Sequence, residues 1–507
     1  MEKSWRERQK WPNEPMEPLF ELKVTAAARG SREIASHLFR QLKDAILDKR
    51  LRPGSRLPST RNARRIFGVS RNTAQDVYDR LAQEGLLFTR HGSGTFVRSH
   101  SDPIPEHAPL AKERHGRVNG FWERPDIASW IGFWHERQGT SSTPPVIADL
   151  RPALVDQGLF PHAIFRQVMA RQLRRLETNP VASRSPQRNQ GNGQLRRAIA
   201  EHVGLTRAVS CQREDVLVTS GAQQAFDLIA RALVIPGETL VAVEDPGYPP
   251  MRVPFAAAGA LLAPVPVDGE GILVEAIPAD SKIICVCPSH QFPLGMPMSA
   301  RRREALLNFA RKNGAVIVED DYDGEFRYDG SPLEALRSRA SASLVLYVGS
   351  FSKCMFPAVR LGFIVPPSWA LGSLVAAKNS TDWHSPVPIQ AAVAGFIDDG
   401  HLTRHIRHVR RIYRDRRGRL LELLERRLGD TLAVVPSFYG MHVTAIARDA
   451  IDCEAVSEAL AERGIMIHSL ARYFLGPATR SGFILGFAAA ESRVLETAVE
   501  AIVEELA

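Results

Sequence analysis

The sequence predicts an α/β chain in two parts: a small helical module closed by a hairpin, then a large domain built on a mainly parallel sheet. Three observations carry this. Between residues 31 and 84, apolar residues recur at helical spacing in blocks broken by proline and glycine, and two short apolar runs around a basic, glycine-rich tip follow. From 147 onward, short runs rich in β-branched residues alternate with helix-length segments, the pattern of strands covered on both faces. The 507 residues, 44% of them apolar, exceed one ordinary core, so about two to four domains are expected.

In the first block Ile34, Leu38, Leu42, Ile46 and Leu51 predict an amphipathic helix over 31–51. The RPGSRLP stretch at 52–58 breaks it. Ser59 then caps a short helix that runs to Phe67 and stops at Gly68. Ser70 caps a third helix over 71–84, with Ala74, Val77 and Leu81 on one face and Ser70, Arg71, Asn72 and Thr73 at its exposed first turn. Two short helices joined by a glycine turn form a helix-turn-helix, whose second helix brings its first turn to base edges and phosphates. Arginine and asparagine there suit guanine and adenine. The runs at 86–89 and 95–97 flank RHGSG, which reads as a hairpin with a basic tip, a wing.

RPGSRLPSTR, GVSRNT and HGSGTF, in this order and spacing, closely resemble the winged helix-turn-helix of the GntR family. The resemblance implies that Arg61, Arg71 and Gly92 touch double-stranded DNA, and the role extends to Ser70, Asn72 and Thr73. It puts the DNA-binding domain at 31–98. A three-helix module used for protein contacts is the competing reading. The net charge of +9 is compatible with a polyanionic partner, although a basic proteome produces the same excess.

Residues 99–146 shift in composition. Pro103, Pro105, Pro109, Gly116, Gly120, Gly132 and Gly139 interrupt charged residues without a sustained period, so a linker is expected. Phe121, Trp122, Trp130, Phe133 and Trp134 make it unusually aromatic, and such side chains bury large areas, so this patch is expected to dock on a folded domain. No apolar run of about 18 residues is present to span a bilayer. The charged start MEKSWRERQKW lacks the apolar segment of a secretory signal. A cytoplasmic protein without membrane contact is expected. The five cysteines have neither zinc nor redox spacing, so no metal and no disulfide are expected.

Within 147–507, strands are expected near 216–218, 240–243, 261–267, 283–286, 315–318 and 344–348. Ligands of such sheets gather at the strands' carboxyl ends, and five motifs fall there. TSGAQQ at 219–224 opens a helix whose amides can approach an anion, as any capped helix start can. EDPGY at 244–248 places Tyr248 to stack on a flat ring or to pack in a turn. PSHQFPLG at 288–295 offers polar groups to a phenolic oxygen. EDDYD at 319–323 crowds carboxylates that need a nearby cation, either a protonated pyridine nitrogen or, ranked second, a metal ion. GSFSK at 349–353, with Arg360 beyond it, offers an amine for an aldehyde and a guanidinium fork for a phosphate.

These motifs stand in the order and spacing of the fold-type I aminotransferases, which 147–507 resembles. The resemblance implies a small C-terminal α/β subdomain beside the mainly parallel sheet, a pyridoxal phosphate cofactor and a homodimer. It gives Lys353 the Schiff base, Asp320 the pyridinium nitrogen, Tyr322 the ring hydroxyl and Tyr248 the stacking face. Gly221, Ala222, Gln223, Ser350 and Arg360 take the phosphate. A winged helix ahead of this domain, with PSHQFP, EDDYDGEFRYDG and GSFSK, is similar to the MocR subgroup of GntR regulators. Three departures from the aminotransferase pattern stand out. Phe292 occupies the place of the asparagine that bonds the ring hydroxyl, with His290 or Gln291 as replacements. The stretch 184–191 lacks the tyrosine that a partner subunit lends to the phosphate. Ile484 stands where an arginine clamps the substrate carboxylate, with Arg480 nearby. The expected function is a pyridoxal-phosphate-dependent transcriptional regulator that senses an amine, an amino acid or pyridoxal phosphate itself. The alternatives are an active aminotransferase with an appended DNA-binding domain and a DNA-binding protein whose large domain holds no cofactor.

Overall fold

The computed structural model describes residues 31–90, 94–98, 119–132, 145–178, 189–329, 333–338 and 342–507. The chain divides into two compact units, Met1–Val118 and Asn119–Ala507.

The first unit contains α1 Ser31–Leu47, α2 Thr60–Phe67, α3 Arg71–Gln83 and the hairpin of β1 Leu87–Arg90 with β2 Gly94–Val97. Leu38 and Leu42 of α1, Phe67 of α2 and Ala74, Val77 and Leu81 of α3 meet in one core. The chain leaves helical geometry earlier than the apolar spacing implies. Lys49 turns left-handed at φ 59°, and the Leu51 amide folds back to the Ala45 carbonyl at 2.7 Å, so Leu51 enters the core from a turn. Ser59 caps α2 by accepting from the Asn62 amide at 3.3 Å, and Gly68 ends it at φ 67°, a conformation that favours glycine. Leu87 pairs with Val97 in the hairpin, and the segment before α2 lies along β2 through Leu57 N to Thr95 O and Val97 N to Ser55 O, both 2.9 Å.

The second unit opens with a short turn, Gly120–Glu123, and α4 Pro125–Ile131, followed by β3 Ala148–Asp149, α5 His162–Thr178 and α6 Gly193–Arg207. Then come β4 Leu217–Thr219, α7 Ala222–Leu233, β5 Leu240–Asp245, α8 Pro249–Ala257, β6 Leu261–Asp268, β7 Gly271–Ile272 and β8 Ile283–Val286. The sheet is completed by α9 Ala300–Asn313, β9 Val316–Asp321, β10 Val345–Ser350 and β11 Gly362–Val365. The remainder is α10 Ser368–Thr381, α11 Val387–Asp398, α12 His401–Leu428, β12 Leu432–Val434, β13 His442–Ala447, α13 Cys453–Glu462, β14 Ile465–Met466, β15 His468–Ser469, β16 Gly482–Gly486 and α14 Ser492–Leu506.

Eight strands are ordered β4-β11-β10-β9-β8-β5-β6-β7. The run from β10 to β6 is parallel, β11 is antiparallel to both β10 and β4, and β7 is antiparallel to β6. Alternate residues supply opposite cores, because successive side chains of a strand point to opposite faces. Val241, Val243, Ile283, Cys285, Val318, Leu346 and Val348 pack with Phe226 of α7 and Leu374 of α10. Ala242, Ile284, Val286 and Ile317 pack with Leu306 and Leu307 of α9. The return strand β11 is absent from the sequence reading. An antiparallel neighbour needs only a short connection, so its four residues follow the lysine motif with only the 3-10 turn Pro357–Val359 to set them apart. A second, antiparallel sheet, β12-β13-β16-β15, packs with α12, α13 and α14 into the smaller C-terminal layer, and β14 pairs with β3.

The linker expected over 99–146 contains a folded piece. Ile127 and Trp130 of α4 bury against Val253 of α8, with Phe121 and Leu475 alongside. Trp122 stays exposed, and Phe133 and Trp134 lie outside the described residues. Among the described residues no helix is long and apolar enough to cross a membrane. The five cysteines are free thiols.

Candidate cofactor site and DNA-reading surface

Strand β10 ends at Ser350, and Lys353 follows in the turn beyond it, half-buried, with Nζ donating to the Ala153 carbonyl at 2.5 Å. Loss of hydration pulls its ammonium down to about 8, against the opposing pull of Asp323 and Asp320. The neighbouring strand β9 delivers Asp320, level with Val348 of β10, to the same cleft. Asp320 is buried; one oxygen has only the Cys287 thiol at 3.9 Å, and Oδ1 has no hydrogen-bond partner. Burial, with Asp321 and Asp323 adding repulsion, pushes its carboxyl up to about 8. An unsatisfied buried acceptor is destabilising. A ring N–H presented from the cleft would satisfy it.

Tyr322 sits beside Asp320, its hydroxyl 2.7 Å from His290 Nδ1. The same nitrogen lies 2.9 Å from Asp323 Oδ2. With the proton assigned to Nδ1, the imidazole donates to this pair of oxygens, which leaves the phenol hydrogen for an acceptor in the cleft. His290 stands behind Tyr322 and is not among the residues that line the cleft. Gln291 also has other work. Its amide donates to the Pro246 and Phe292 carbonyls at 2.9 Å each and accepts from the Leu294 amide at 3.0 Å, so it fixes the turn. Phe292 itself lines the cleft, edge-on to Tyr248 and Tyr322 with ring centroids 5.5 Å apart in each pair. His290→Ala is expected to lower unfolding free energy by about 1–3 kcal/mol, because it strips the buried Asp323 of its donor. Urea unfolding checks this, and an unchanged midpoint counts against the pairing.

At the other end of the cleft α7 begins without a side-chain cap, leaving its first amides open, with Gly221 at φ 84°. Arg360, itself left-handed at φ 46°, reaches over this end and donates through Nη2 to the Ser220 carbonyl at 3.0 Å. A Cβ on Gly221 would meet that guanidinium at 3.1 Å, so the position suits glycine sterically as well as conformationally. Ala222, Gln223, Ser350, Ser352 and Arg360 line this end. Helix amides, hydroxyls and a guanidinium are the donors a phosphate needs. The cleft, about 720 Å³, thus brings Ala222, Gln223, Tyr248, Asp320, Tyr322, Ser350, Lys353 and Arg360 onto one wall system, with Gly221 adjoining. These residues fit pyridoxal phosphate: an orphaned acid oxygen for the ring nitrogen, an amine, an aromatic face and an anion cradle.

Sequence reasoning missed Ser352, Ala153, Leu154, Trp130 and Ile131, which also line the cleft. Ser352 was within reach from the GSFSK motif; Trp130 and Ile131 belong to the aromatic patch expected to dock on a folded domain, without a signal for the cleft itself, and Ala153 and Leu154 come from a segment far away in the chain. Ile484 is fully buried in β16, level with Thr444 of β13 and His468 of β15, in the core that holds Phe292 and Tyr473. Arg480 is exposed and is not among the cleft residues. Among the described residues that line the cleft, Lys353 and Arg360 are the cations. Of the stretch without tyrosine, 184–188 lie outside the described residues.

In the first unit Ser70 and Thr73 are engaged in the cap of α3. The Ser70 hydroxyl accepts from the Thr73 amide at 3.1 Å and lies 2.7 Å from the Thr73 hydroxyl. Between them Arg71 and Asn72 are exposed, and Arg61 is exposed on the first turn of α2. The Tyr78 hydroxyl donates to the Pro58 carbonyl at 2.9 Å and ties α3 to the segment before α2. Gly92 lies outside the described residues.

The profile of aminotransferase class I and II matches residues 156–502, and that of the gntR family of bacterial regulatory proteins matches 34–97. The chain is 32% identical to the probable rhizopine catabolism regulatory protein MocR of Rhizobium meliloti, over 92% of each chain. It is 30% identical to the pyridoxine biosynthesis transcriptional regulator PdxR of Corynebacterium glutamicum, over 90% of this chain and 92% of that one. Among solved structures, the kynurenine aminotransferase of Pyrococcus horikoshii superposes with a TM-score of 0.66 at 25% identity, over 74% of this chain and 97% of that one. The chain belongs to the GntR-family transcriptional regulators that carry an aminotransferase class I and II domain, the group of the MocR- and PdxR-named proteins.

Proposed function

We propose that this regulator reads double-stranded DNA with α3 and senses a small molecule through pyridoxal phosphate held in the cleft of its large unit. Bound there, the cofactor supplies an aldehyde to which primary amines add. The chain's own groups do the rest. Lys353 would hold the cofactor through its amine, and Asp320 Oδ1 would accept the ring N–H. Tyr322 would donate to the ring oxygen, Tyr248 would pack on the ring, and the α7 amides with Ser350 and Arg360 would bind the phosphate. The phenol is held in place by His290, which Asp323 orients in turn.

One observation carries the sensing role: an amine, an acid, an aromatic face and an anion cradle meet in the cleft, while Ile484, which the aminotransferase resemblance puts at the carboxylate clamp, is a buried core residue. Losing that clamp removes the orientation on which turnover of an amino acid depends. The effector is an amine, an amino acid or the cofactor itself. A symmetric homodimer that presents paired half-site readers, working in the cytoplasm, completes the reading. Steady-state assays with amino-acid and keto-acid pairs test it. Little or no sustained turnover is expected, and multiple turnovers would favour an aminotransferase with an appended DNA-binding domain.

The depressed Lys353 pKa gives a pH signature. Attack on the aldehyde needs the neutral amine, whose population grows as pH rises through about 8. The rate of cofactor uptake is therefore expected to rise roughly tenfold from pH 7 to 9 and then level off, whereas a lysine at its ordinary value would keep rising toward pH 10. Stopped-flow absorbance measures it.

A further inference from the structure

We propose that α4 is the ligand-reading wall of the cleft, and that the ligand it reads is a primary amine with an apolar body. This rests on the reading above that the cleft holds pyridoxal phosphate on Lys353. Trp130 and Ile131, the last turn of α4, line the cleft together with Pro250 and Val253 of α8, Phe226 of α7 and Leu154. Apart from Arg360 and Lys353, which the cofactor occupies, the described residues that line this space include no cation to hold a carboxylate. An amine whose nitrogen is directed to the cofactor would thus lay an uncharged, apolar body against the indole.

The same helix is poised to move. At seven residues, Pro125–Ile131 is too short to persist without packing. Its packing is a small cluster in which Ile127, Trp130 and Val253 are the buried members. The Arg124–Asp126 ion pair, at 2.5 Å, joins two neighbours in sequence and is exposed, so it adds little to docking. Trp130 is therefore both the anchor of α4 and a face of the cleft. A ligand that adds contact to Trp130 favours the docked helix, and one that crowds it favours release. Residues 99–118 connect α4 covalently to the DNA-binding unit, so the docking equilibrium sets where that connection leaves the large unit. A ligand shifts the equilibrium only through such differential contact.

The test uses the full-length, cofactor-loaded chain and two probes, 2-phenylethylamine and ethanolamine. Their half-saturating concentrations are read from the cofactor's visible absorbance. Trp130→Ala is expected to raise the value for 2-phenylethylamine about tenfold or more, as removal of an apolar wall does, with little change for ethanolamine. The amine-induced change in DNA affinity should fall in the same variant. Ile131→Ala should shift the first probe in the same direction by a smaller factor, which covers the case that Trp130→Ala misfolds. Trp122→Ala, at an exposed position, should match the wild type. If neither amine changes the wild-type spectrum, the cofactor reading fails. If both do, and both α4 variants match the wild type with both probes, the role of α4 alone is overturned.

Discussion

Lys353→Ala is expected to yield a folded protein that purifies without the visible absorbance of bound cofactor. The amine is the one group of the cleft able to form a bond with the aldehyde, whereas the phosphate cradle and Asp320 contribute only non-covalent contacts. The substitution removes a half-buried side chain at the wall of the cleft, outside the packed cores, so the fold should survive. The effect reads most clearly as stabilisation: at 100 times its dissociation constant a ligand adds about 2.7 kcal/mol to the native state. Cofactor at that level should raise the wild-type melting temperature and leave Lys353→Ala nearly unmoved. A variant that keeps the yellow colour and the full thermal shift contradicts the assignment of Lys353.

Arg71→Ala is expected to weaken specific operator binding by about 1–3 kcal/mol, the range for one bidentate base contact. The structure sharpens this choice. Ser70 and Thr73 spend their hydroxyls on the cap of α3, while Arg71 stays exposed at its first turn. Ser70→Ala should therefore act through helix stability, about 1 kcal/mol, and Arg71→Ala through discrimination between operator and random DNA. Fluorescence anisotropy on both DNAs separates the two. Equal loss on both DNAs for Arg71→Ala would make it a phosphate contact instead of a base reader.

What was legible followed from local signals. Ser59, Gly68 and Ser70 mark the ends of α2 and the start of α3 because caps depend on a side chain and a backbone conformation within four residues. The motif residues that meet in the cleft were legible because parallel strands gather their carboxyl ends, so motifs that follow successive strands converge. What was not legible needed knowledge of direction. His290 and Gln291 are adjacent polar residues in one turn, yet one supports Tyr322 and the other closes the turn on backbone groups. Spacing cannot separate them. Trp130 reached the cleft from a segment read as linker, because a seven-residue helix leaves too few turns for a periodic signal. The unpaired oxygen of Asp320 is a property of packing alone.

The central claim is that cofactor chemistry in the large unit controls DNA binding by the small one. Its most direct test is operator affinity of the full-length chain with and without pyridoxal phosphate, alongside Lys353→Ala, on promoter fragments recovered by chromatin mapping. Loading the wild type is expected to change affinity by about tenfold, roughly 1.4 kcal/mol of coupling, and to leave Lys353→Ala unchanged. Identical affinity in all these states, together with sustained transamination, would contradict it.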